Sequence, residues 1–395
     1  MSLTRRQFTH GLLAALLTGP PGSISEILER ATAPGWFTPR EINAAVLDIC
    51  YKGKRLTKAY GEAGNVERVF EIASISKPIV ATAAMILKDR SKLALEDPAV
   101  KYVPEFQGDW RGEITLRNLL THTAGLPDTL PQTYEMLANG ATLKQMFEAT
   151  CSVPLLFKPG TAVSYSNLGV LVVKEIVERI TGSDLKEFLK SEVFEPLGMS
   201  ASSLGLGGRP VSSTIPIQGM QNRLGGHPII STVSIQGKQT NANPNSAYQR
   251  DLGAPWGGVH STALDLMRFL RYFVDPGKTK LLQVETAREM LRDHCKGLNQ
   301  PWGIGWMLAQ SHDCNFRVRP TWRRYGWSAA FSNPEQGPAF GLKCSASTFG
   351  HYGVAGTVAW ADPQSDIAMV LLTSKPVRYS RDGVLGQISD LASQL

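Results

Sequence analysis

Apolar runs near the two ends of the chain predict two β-hairpins. Residues 45–51 are mostly apolar, residues 55–61 mix polar and apolar types, and the two runs flank a turn at Gly53. Residues 356–361 and 367–373 are also mostly apolar and are separated by a polar turn. Short β-prone runs joined by Gly- or Pro-containing turns are typical of antiparallel strand pairs. We therefore expect one hairpin at each end of the chain.

Helical patterns occupy most of the remaining sequence. Apolar residues recur at helical spacing in segments that begin at capping residues and end at glycines. Ser183 and Ser261 are predicted to cap the helices that follow them, and Gly182 is predicted to end the helix before it. The predicted helices cover residues 24–30, 78–87, 115–120, 143–149, 168–180, 184–194, 262–273 and 381–391.

Together these elements predict an α/β (α+β) fold. The terminal hairpins form one antiparallel sheet flanked by the terminal helices, and a mostly helical lobe of about residues 78–275 is inserted between them. Residues 205–258 fit neither part, because they are rich in Gly, Asn, Gln and Ser. Such a segment is either a structured loop that borders a binding site or a floppy insert.

The composition is that of an ordinary soluble globular protein. The chain has 395 residues, of which 43% are hydrophobic and 19% charged. No apolar run approaches the ~18 residues that a membrane-spanning helix needs, which excludes an integral membrane protein. The net charge of +7 is scattered apart from an Arg- and Trp-rich stretch at residues 316–327. Pro320 and Gly326 interrupt or border that stretch, so we interpret it as a surface loop and expect no nucleic-acid partner.

The cysteines indicate neither a disulfide framework nor a zinc site. Their number is odd, and no CxxC pair occurs. His294 and His312 each lie within two residues of a cysteine, but no third and fourth metal ligand follows nearby. The five cysteines are Cys50, Cys151, Cys295, Cys314 and Cys344.

Residues 1–23 have the order of an export signal. Positive residues come first, an apolar segment follows, and Pro and Gly then end the pattern. Arg5 and Arg6, with Phe8 two places on, resemble a twin-arginine signal. We therefore predict export to the periplasm, with the globular domain covering residues 24–395. The alternative is a frayed terminus on a cytoplasmic protein.

A candidate nucleophile and base lie where the chain enters the apolar helix at residues 78–87. Ser74 and Lys77 are three residues apart, so their side chains face the same way on a helical turn. A lysine can accept the serine proton near neutral pH only if burial lowers its pKa. A second Ser-x-x-Lys pair, Ser183 and Lys186, is explained by a helix cap and a solvated lysine.

Two further groups of polar residues stand beside strong local structure. Tyr165 and Asn167 precede an apolar helix and are candidate functional residues. Alternatively, Ser164 or Asn167 only caps that helix. His351 and Gly353 lie just before the C-terminal hairpin. The glycine is expected to let a substrate backbone approach the strand, whereas an isolated histidine at such a place is usually structural.

In this order, Ser74-x-x-Lys77, Tyr165-x-Asn167 and His351-x-Gly353 resemble the three motifs of the class C β-lactamase-like serine hydrolases, which include D-amino-acid peptidases and bacterial esterases. The resemblance covers about residues 24–375. It extends to the segments at residues 119–127, 157–160, 194–199 and 257–262.

The resemblance implies a role for each motif residue. Ser74 attacks a carbonyl and forms an acyl-enzyme, while Lys77 and Tyr165 share proton transfer. Asn167, His351 and Gly353 bind substrate, and Asn167 does so on the acyl side. The backbone N–H groups of Ser74 and Val354 form an oxyanion hole. The resemblance implies no metal or organic cofactor, and a small-molecule ester, amide or peptide as substrate.

The sequence departs from the β-lactamase pattern in the strand motif, where Tyr352 and Val354 also replace small hydroxyl residues. His351 stands where β-lactamases of this type carry a lysine that recognises a carboxylate. We therefore favour an esterase- or peptidase-like hydrolase and expect His351 to become charged below about pH 6.5. The alternatives are a β-lactamase or D-Ala-D-Ala carboxypeptidase, and a non-catalytic binder of cell-wall peptide. A binder has no reason to keep a costly buried lysine.

Overall fold

A computed structural model describes residues 23–34, 41–218, 241–309, 340–376 and 383–395. Within these residues the strands are β1 Ala44–Tyr51, β2 Lys54–Gly61, β3 Phe70–Glu71, β4 Ser203–Leu204, β5 Val259–Ser261, β6 Met307–Leu308, β7 Phe349–Gly353, β8 Thr357–Asp362 and β9 Ile367–Thr373. The helices are α1 Ile24–Thr32, α2 Ser76–Asp89, α3 Leu116–Leu120, α4 Thr133–Ala138, α5 Leu143–Thr150, α6 Asn167–Thr181, α7 Leu185–Leu189, α8 Ala247–Asp251, α9 Ala263–Val274, α10 Val284–Met290 and α11 Val384–Ala392.

The large sheet joins the two ends of the chain. Its strand order is β2-β1-β9-β8-β7-β6, and all neighbours are antiparallel. β1 pairs with β9, so the two predicted hairpins form one sheet. Every residue of β1 and β9 is buried, whereas β2 is mostly half-exposed at the edge. The predicted fold class is confirmed.

Alternate residues of the strands face two different cores. Trp360 and Leu371 belong to a core beneath the terminal helices α1 and α11. Ala359 and Val370 point to the opposite face, into the large core shared with the helical lobe. This alternation follows from the two-residue period of a strand. Helix α9 lies within residues 78–275 but packs directly on β1, β8 and β9, so it covers the sheet.

Helix α2 is the centre of the large core. All of its residues from Ser76 to Leu87 are buried, and the helix packs against α6. A helix that is apolar on every face must be surrounded by other elements, as the sequence predicts here. A second sheet, of order β3-β5-β4, lies beside the start of α2. The sequence did not predict it, because strands of two or three residues are too short to show a period.

Two predicted helix caps are wrong by one residue. Asp184, not Ser183, caps α7, because its carboxylate accepts a hydrogen bond from the Lys186 N–H at 2.7 Å. Thr262, not Ser261, caps α9, and its hydroxyl accepts from the Asp265 N–H at 3.1 Å. In each case two neighbouring residues can cap, and the backbone selects the one placed to reach the free N–H groups. Gly182 ends α6 in the left-handed conformation, as predicted.

Several sequence predictions fall outside the described residues. The signal at residues 1–22, the whole Arg- and Trp-rich stretch at residues 316–327 and the middle of the 205–258 segment are among them. The described parts of 205–258 are structured and include α8. Across the described part of the chain, none of the helices combines the length and apolarity of a bilayer-spanning segment.

The corrected cap of α7 makes a testable difference between neighbouring residues. Asp184→Ala removes the acceptor for the Lys186 N–H and should lower the free energy of unfolding by about 1 kcal/mol. Ser183→Ala should change it much less. The urea denaturation midpoints of the two variants measure this. A larger loss in Ser183→Ala would restore Ser183 as the cap.

Candidate active site

Ser74 lies in a single 3₁₀ turn between β3 and α2. Its side chain is half-buried, while Ala73 and Ile75 on either side are buried. Ala73 has a φ of 47°, a left-handed conformation that is unfavourable for a residue with a Cβ atom. Two hydrogen bonds hold this turn: Thr357 Oγ1 donates to the Ile72 carbonyl at 2.9 Å, and Ser76 Oγ donates to the Ala73 carbonyl at 2.7 Å. The surrounding structure thus fixes a strained backbone that leaves Ser74 accessible.

Lys77 lies beside Ser74, as the spacing predicts. Its Nζ donates hydrogen bonds to Ser74 Oγ at 3.1 Å and to the Trp256 carbonyl at 2.9 Å. The lysine is only 2% exposed. Burial lowers the pKa of Lys77 to about 7, and the negative charge of Asp128 opposes that shift. Near neutral pH a large fraction of Lys77 is therefore a free amine that can accept a proton.

Tyr165 completes this group. Its hydroxyl is hydrogen-bonded to Ser74, and its ring centroid lies 4.5 Å from Lys77 Nζ. Burial raises the pKa of Tyr165 well above its ordinary value. The phenol therefore stays protonated and can hand on a proton, whereas Lys77 is the group that takes one up. Burial disfavours the charged form of each group, so it keeps the Tyr165 phenol protonated and lets the Lys77 ammonium lose its proton.

A histidine that the sequence analysis did not select stands behind Tyr165. The His122 ring centroid lies 4.7 Å from that of Tyr165 and 4.6 Å from that of Trp302. His122 Nδ1 accepts the Ser166 N–H at 3.2 Å. Burial and the charge of Lys77 lower the pKa of His122 well below its ordinary value, so the ring is neutral. His122 is therefore a packing partner of Tyr165 that also satisfies a buried N–H group.

Asn167 opens helix α6 beside a carboxylate. Its N–H donates to the Asp128 carbonyl at 3.1 Å and to Asp128 Oδ1 at 3.3 Å. Ser166, rather than Ser164 or Asn167, caps the helix, because its hydroxyl accepts the Gly169 N–H at 3.1 Å. Asn167 Oδ1 is buried and has no hydrogen-bond partner among the described residues. The cap is thus supplied by a neighbour, and the role of the Asn167 amide in substrate binding stays a prediction.

Asp128 is the second residue that the sequence analysis missed. Burial raises the pKa of Asp128 to about 6, and Lys77 opposes that shift. The Asp128 charge also raises the pKa of Tyr165 and of Tyr352. Asp128 directly follows the segment 119–127 that resembles the family. A single acidic residue after a proline, however, carries no signal that it will lie near Lys77.

His351 lies on β7 and is 1% exposed. Burial and the nearby Lys77 lower the pKa of His351 to about 3. The expectation that this histidine becomes charged below about pH 6.5 is therefore wrong. In the neutral ring, Nδ1 donates to the Tyr352 carbonyl at 2.7 Å, which leaves Nε2 as an acceptor without a partner among the described residues.

Gly353 is needed for packing within the chain itself. A Cβ atom there would lie 2.3 Å from Thr357 Oγ1 and 2.4 Å from the Ile72 carbonyl oxygen. The expected approach of a substrate backbone is thus not what requires the glycine. Instead, the end of β7 lies directly against the turn that carries Ser74. Val354, the next residue, packs against the small apolar cluster of Ala73, Ile217 and Ala355.

The described residues contain no group of three or more His, Cys, Asp or Glu side chains that could hold a metal ion. Ser74, Lys77 and Tyr165 come together, the Tyr165 ring centroid lies 6.1 Å from that of His351, and Asn167 is joined to this group through Asp128. In the second Ser-x-x-Lys pair the two side chains have other partners, since Lys186 Nζ donates to the Asp251 carbonyl at 2.8 Å and Ser183 Oγ donates to the Asp184 carbonyl at 3.4 Å.

The chain is similar in sequence and in fold to known proteins. The Beta-lactamase family model matches residues 30–391. Protein Rv1367c of Mycobacterium tuberculosis is 27% identical over 386 residues, covering 90% of this chain and 89% of that protein. Esterase EstB of Burkholderia gladioli is 36% identical over 156 residues, covering 35% and 40% respectively. The structure of EstCE1, a hydrolase with promiscuous acyltransferase activity, superposes with a TM-score of 0.70 and 20% identity over 98% of this chain and 100% of that one.

The pairing of Lys77 with Asp128 predicts a pH dependence. For a neutral ester, kcat/KM should rise with pH through about 7 as Lys77 loses its proton. Asp128→Asn removes the charge that favours the Lys77 ammonium, so the midpoint of this rise should move to lower pH. The pH profile of kcat/KM measures both effects.

His351→Gln is the matched control for this experiment. The neutral histidine does not titrate between pH 5 and 9, so this variant should keep the parent midpoint. A midpoint that moves with His351→Gln and not with Asp128→Asn would contradict the electrostatic assignment.

Proposed function

Since this chain belongs to the Beta-lactamase family of serine hydrolases, we propose that it cleaves a small ester or amide through an acyl-enzyme on Ser74. The observation that carries the proposal is the 3.1 Å contact between Ser74 Oγ and the buried Lys77 amine. Burial provides the base that a serine hydroxyl lacks in water.

The geometry supports a proton path that returns each group to its starting state. Lys77 accepts the Ser74 proton as Oγ attacks the substrate carbonyl carbon. Tyr165, hydrogen-bonded to Ser74, passes a proton to the leaving alcohol or amine as its bond to the carbonyl breaks, and Lys77 resupplies Tyr165. A water molecule then attacks the acyl carbon and gives a proton to Tyr165, which passes a proton to Lys77. Lys77 returns a proton to Ser74 Oγ as the ester bond breaks, which releases the acid and free Ser74.

The negative oxygen that forms during each attack needs donors. We assign this role to the backbone N–H groups of Ser74 and Val354. The packing of Val354 against the cluster of Ala73, Ile217 and Ala355 supports the assignment, because Ala73 directly precedes Ser74. One such donor contributes about 3–4 kcal/mol in comparable hydrolases.

The charge of the site favours a neutral substrate. His351 has a pKa of about 3 and supplies no positive charge, and Asp128 adds a negative one. A carboxylate-bearing substrate, such as a β-lactam or a D-Ala-D-Ala peptide, would thus meet no permanent cation from this strand. The esterase activity named for EstB is consistent with this preference.

A peptidase-like activity is the second candidate, and Asn167 favours it. The unpartnered Asn167 Oδ1 can accept a hydrogen bond from an amide N–H on the acyl side of the substrate. Simple alkanoyl esters lack that donor, whereas N-acylated or peptide-like acyl groups carry it.

A substrate panel with two serine variants tests the proposal. We expect purified protein to hydrolyse p-nitrophenyl esters faster than D-aminoacyl anilides, and both faster than a chromogenic cephalosporin. Ser74→Ala should lose at least about a thousandfold in kcat, because the variant cannot form the acyl-enzyme. Ser183→Ala, the matched control from the second Ser-x-x-Lys pair, should retain the parent rate. Equal losses in both variants, or none in either, would refute Ser74 as the nucleophile.

We also propose that residues 1–23 direct export through a twin-arginine route. The support is the order of charged, apolar and breaker residues after Arg5 and Arg6. Replacing both arginines by lysine should leave the full-length protein in the cytoplasm, as measured by cell fractionation. Unchanged fractionation of this double variant would argue against the route.

A further inference from the structure

Residues 214–218, called the strap here, link the two sheets beside Ser74. At one end the Ile215 N–H donates to the Val69 carbonyl at 2.9 Å, just before β3. At the other end the Gln218 N–H donates to the Ser374 carbonyl at 2.6 Å, just after β9. The strap therefore spans from the small sheet that leads to Ser74 to the centre of the large sheet.

Within the strap, Ile217 is the residue that contacts the 3₁₀ turn carrying Ser74. It is 6% exposed and forms a small apolar cluster with Ala73 and Ala355, against which Val354 packs. Ala73 precedes the nucleophile, and Val354 is the second proposed oxyanion donor. A single side chain thus supports both sides of the oxyanion hole.

Asn245 holds Ile217 by two hydrogen bonds of opposite direction. The Ile217 N–H donates to Asn245 Oδ1 at 2.8 Å, and Asn245 Nδ2 donates to the Ile217 carbonyl at 2.8 Å. The side-chain amide therefore pairs with the strap as a neighbouring strand would. Both the position and the orientation of Ile217 are fixed by this pairing.

Arg250, on helix α8, ties Asn245 to the strap. Its guanidinium is fully buried and donates to Thr214 Oγ1 at 2.9 Å, to the Ile215 carbonyl at 3.0 Å and to Asn245 Oδ1 at 2.6 Å. A buried cation needs such a full set of acceptors. The carboxyl group of Glu71, on β3, faces it, with Oε2 3.6 Å from Arg250 Nε. Burial raises the pKa of Glu71 to about 7, and Arg250 opposes that shift.

From these contacts we propose that Asn245 and Arg250 are positioning residues for the oxyanion hole. They hold Ile217 against Ala73 and Val354, and so help to fix the left-handed Ala73 backbone that aims the Ser74 N–H group. A strained conformation persists only where several contacts determine it. The inference rests on the proposed function, because it assumes that Ser74 and Val354 supply the donors.

Asn245→Ala tests the inference, because it removes both bonds to Ile217. We expect kcat for a p-nitrophenyl ester to fall about ten- to a hundredfold with little change in KM, since the oxyanion donors act mainly in the transition state. The affinity for phenylboronic acid, which forms a tetrahedral adduct on serine, should fall in parallel. Asn241→Ala, in the same segment but outside this network, is the matched control and should keep parent kinetics.

Variants that preserve the fold keep the test decisive if Asn245→Ala is unstable. Asn245→Asp keeps the acceptor for the Ile217 N–H and for Arg250 but loses the donor, and Ile217→Val keeps most of the apolar contact. Both should fold, as judged by circular dichroism and the urea midpoint, and both should show smaller losses in kcat and boronate affinity than Asn245→Ala or Ile217→Ala.

Two results would overturn the inference, and they differ from failure of the proposed function. Variants that lose stability but keep kcat and boronate affinity would show that Asn245 only stabilises the fold. A loss confined to KM would place the strap in substrate binding instead. By contrast, an active Ser74→Ala enzyme would refute the proposed function itself, whatever Asn245 does.

Discussion

The structure depends on keeping water away from the Lys77 amine. An ammonium group loses much of its solvation energy when it is buried, and here the Trp256 carbonyl, Ser74, the Tyr165 ring and the charge of Asp128 compensate for part of that loss. The protein must stabilise this arrangement by packing. Helix α2 is therefore enclosed on every side, the large sheet closes one face of the core, and α6 closes another. An exposed α2 would return Lys77 to its ordinary pKa and remove the base.

Those parts of the fold that rest on long apolar patterns could be predicted from the sequence. β1, β9 and α2 are such elements, because burial over many residues leaves a periodic or continuous signal. The strands β3, β4 and β5 left none, since two or three residues define no period. Of the site, Ser74, Lys77, Tyr165 and Asn167 could be selected because they form recurrent spaced motifs. His122 and Asp128 could not, because their importance arises from distances across the fold.

His351 shows a different limit of sequence reasoning. The residue type allows a charge near neutral pH, and the motif places it beside the substrate. The charge that it actually carries depends on how completely the ring is buried and on the sign of its neighbours. Burial and the charge of Lys77 both lower the pKa of this imidazole. A substitution of lysine by histidine on this strand therefore replaces a cation by a neutral acceptor, which is a larger chemical change than the two residue types suggest.

The pairing of β1 with β9 has a consequence for biosynthesis. These strands are neighbours in the sheet although almost the whole chain separates them in sequence. During translation β1 can pair early with β2, but its other edge stays unpaired until β9 has left the ribosome. Pairings of such high contact order also form slowly once the chain is complete. Until the last strands emerge, the nascent chain therefore carries an unpaired strand edge, which is the kind of feature that makes incomplete chains prone to aggregation.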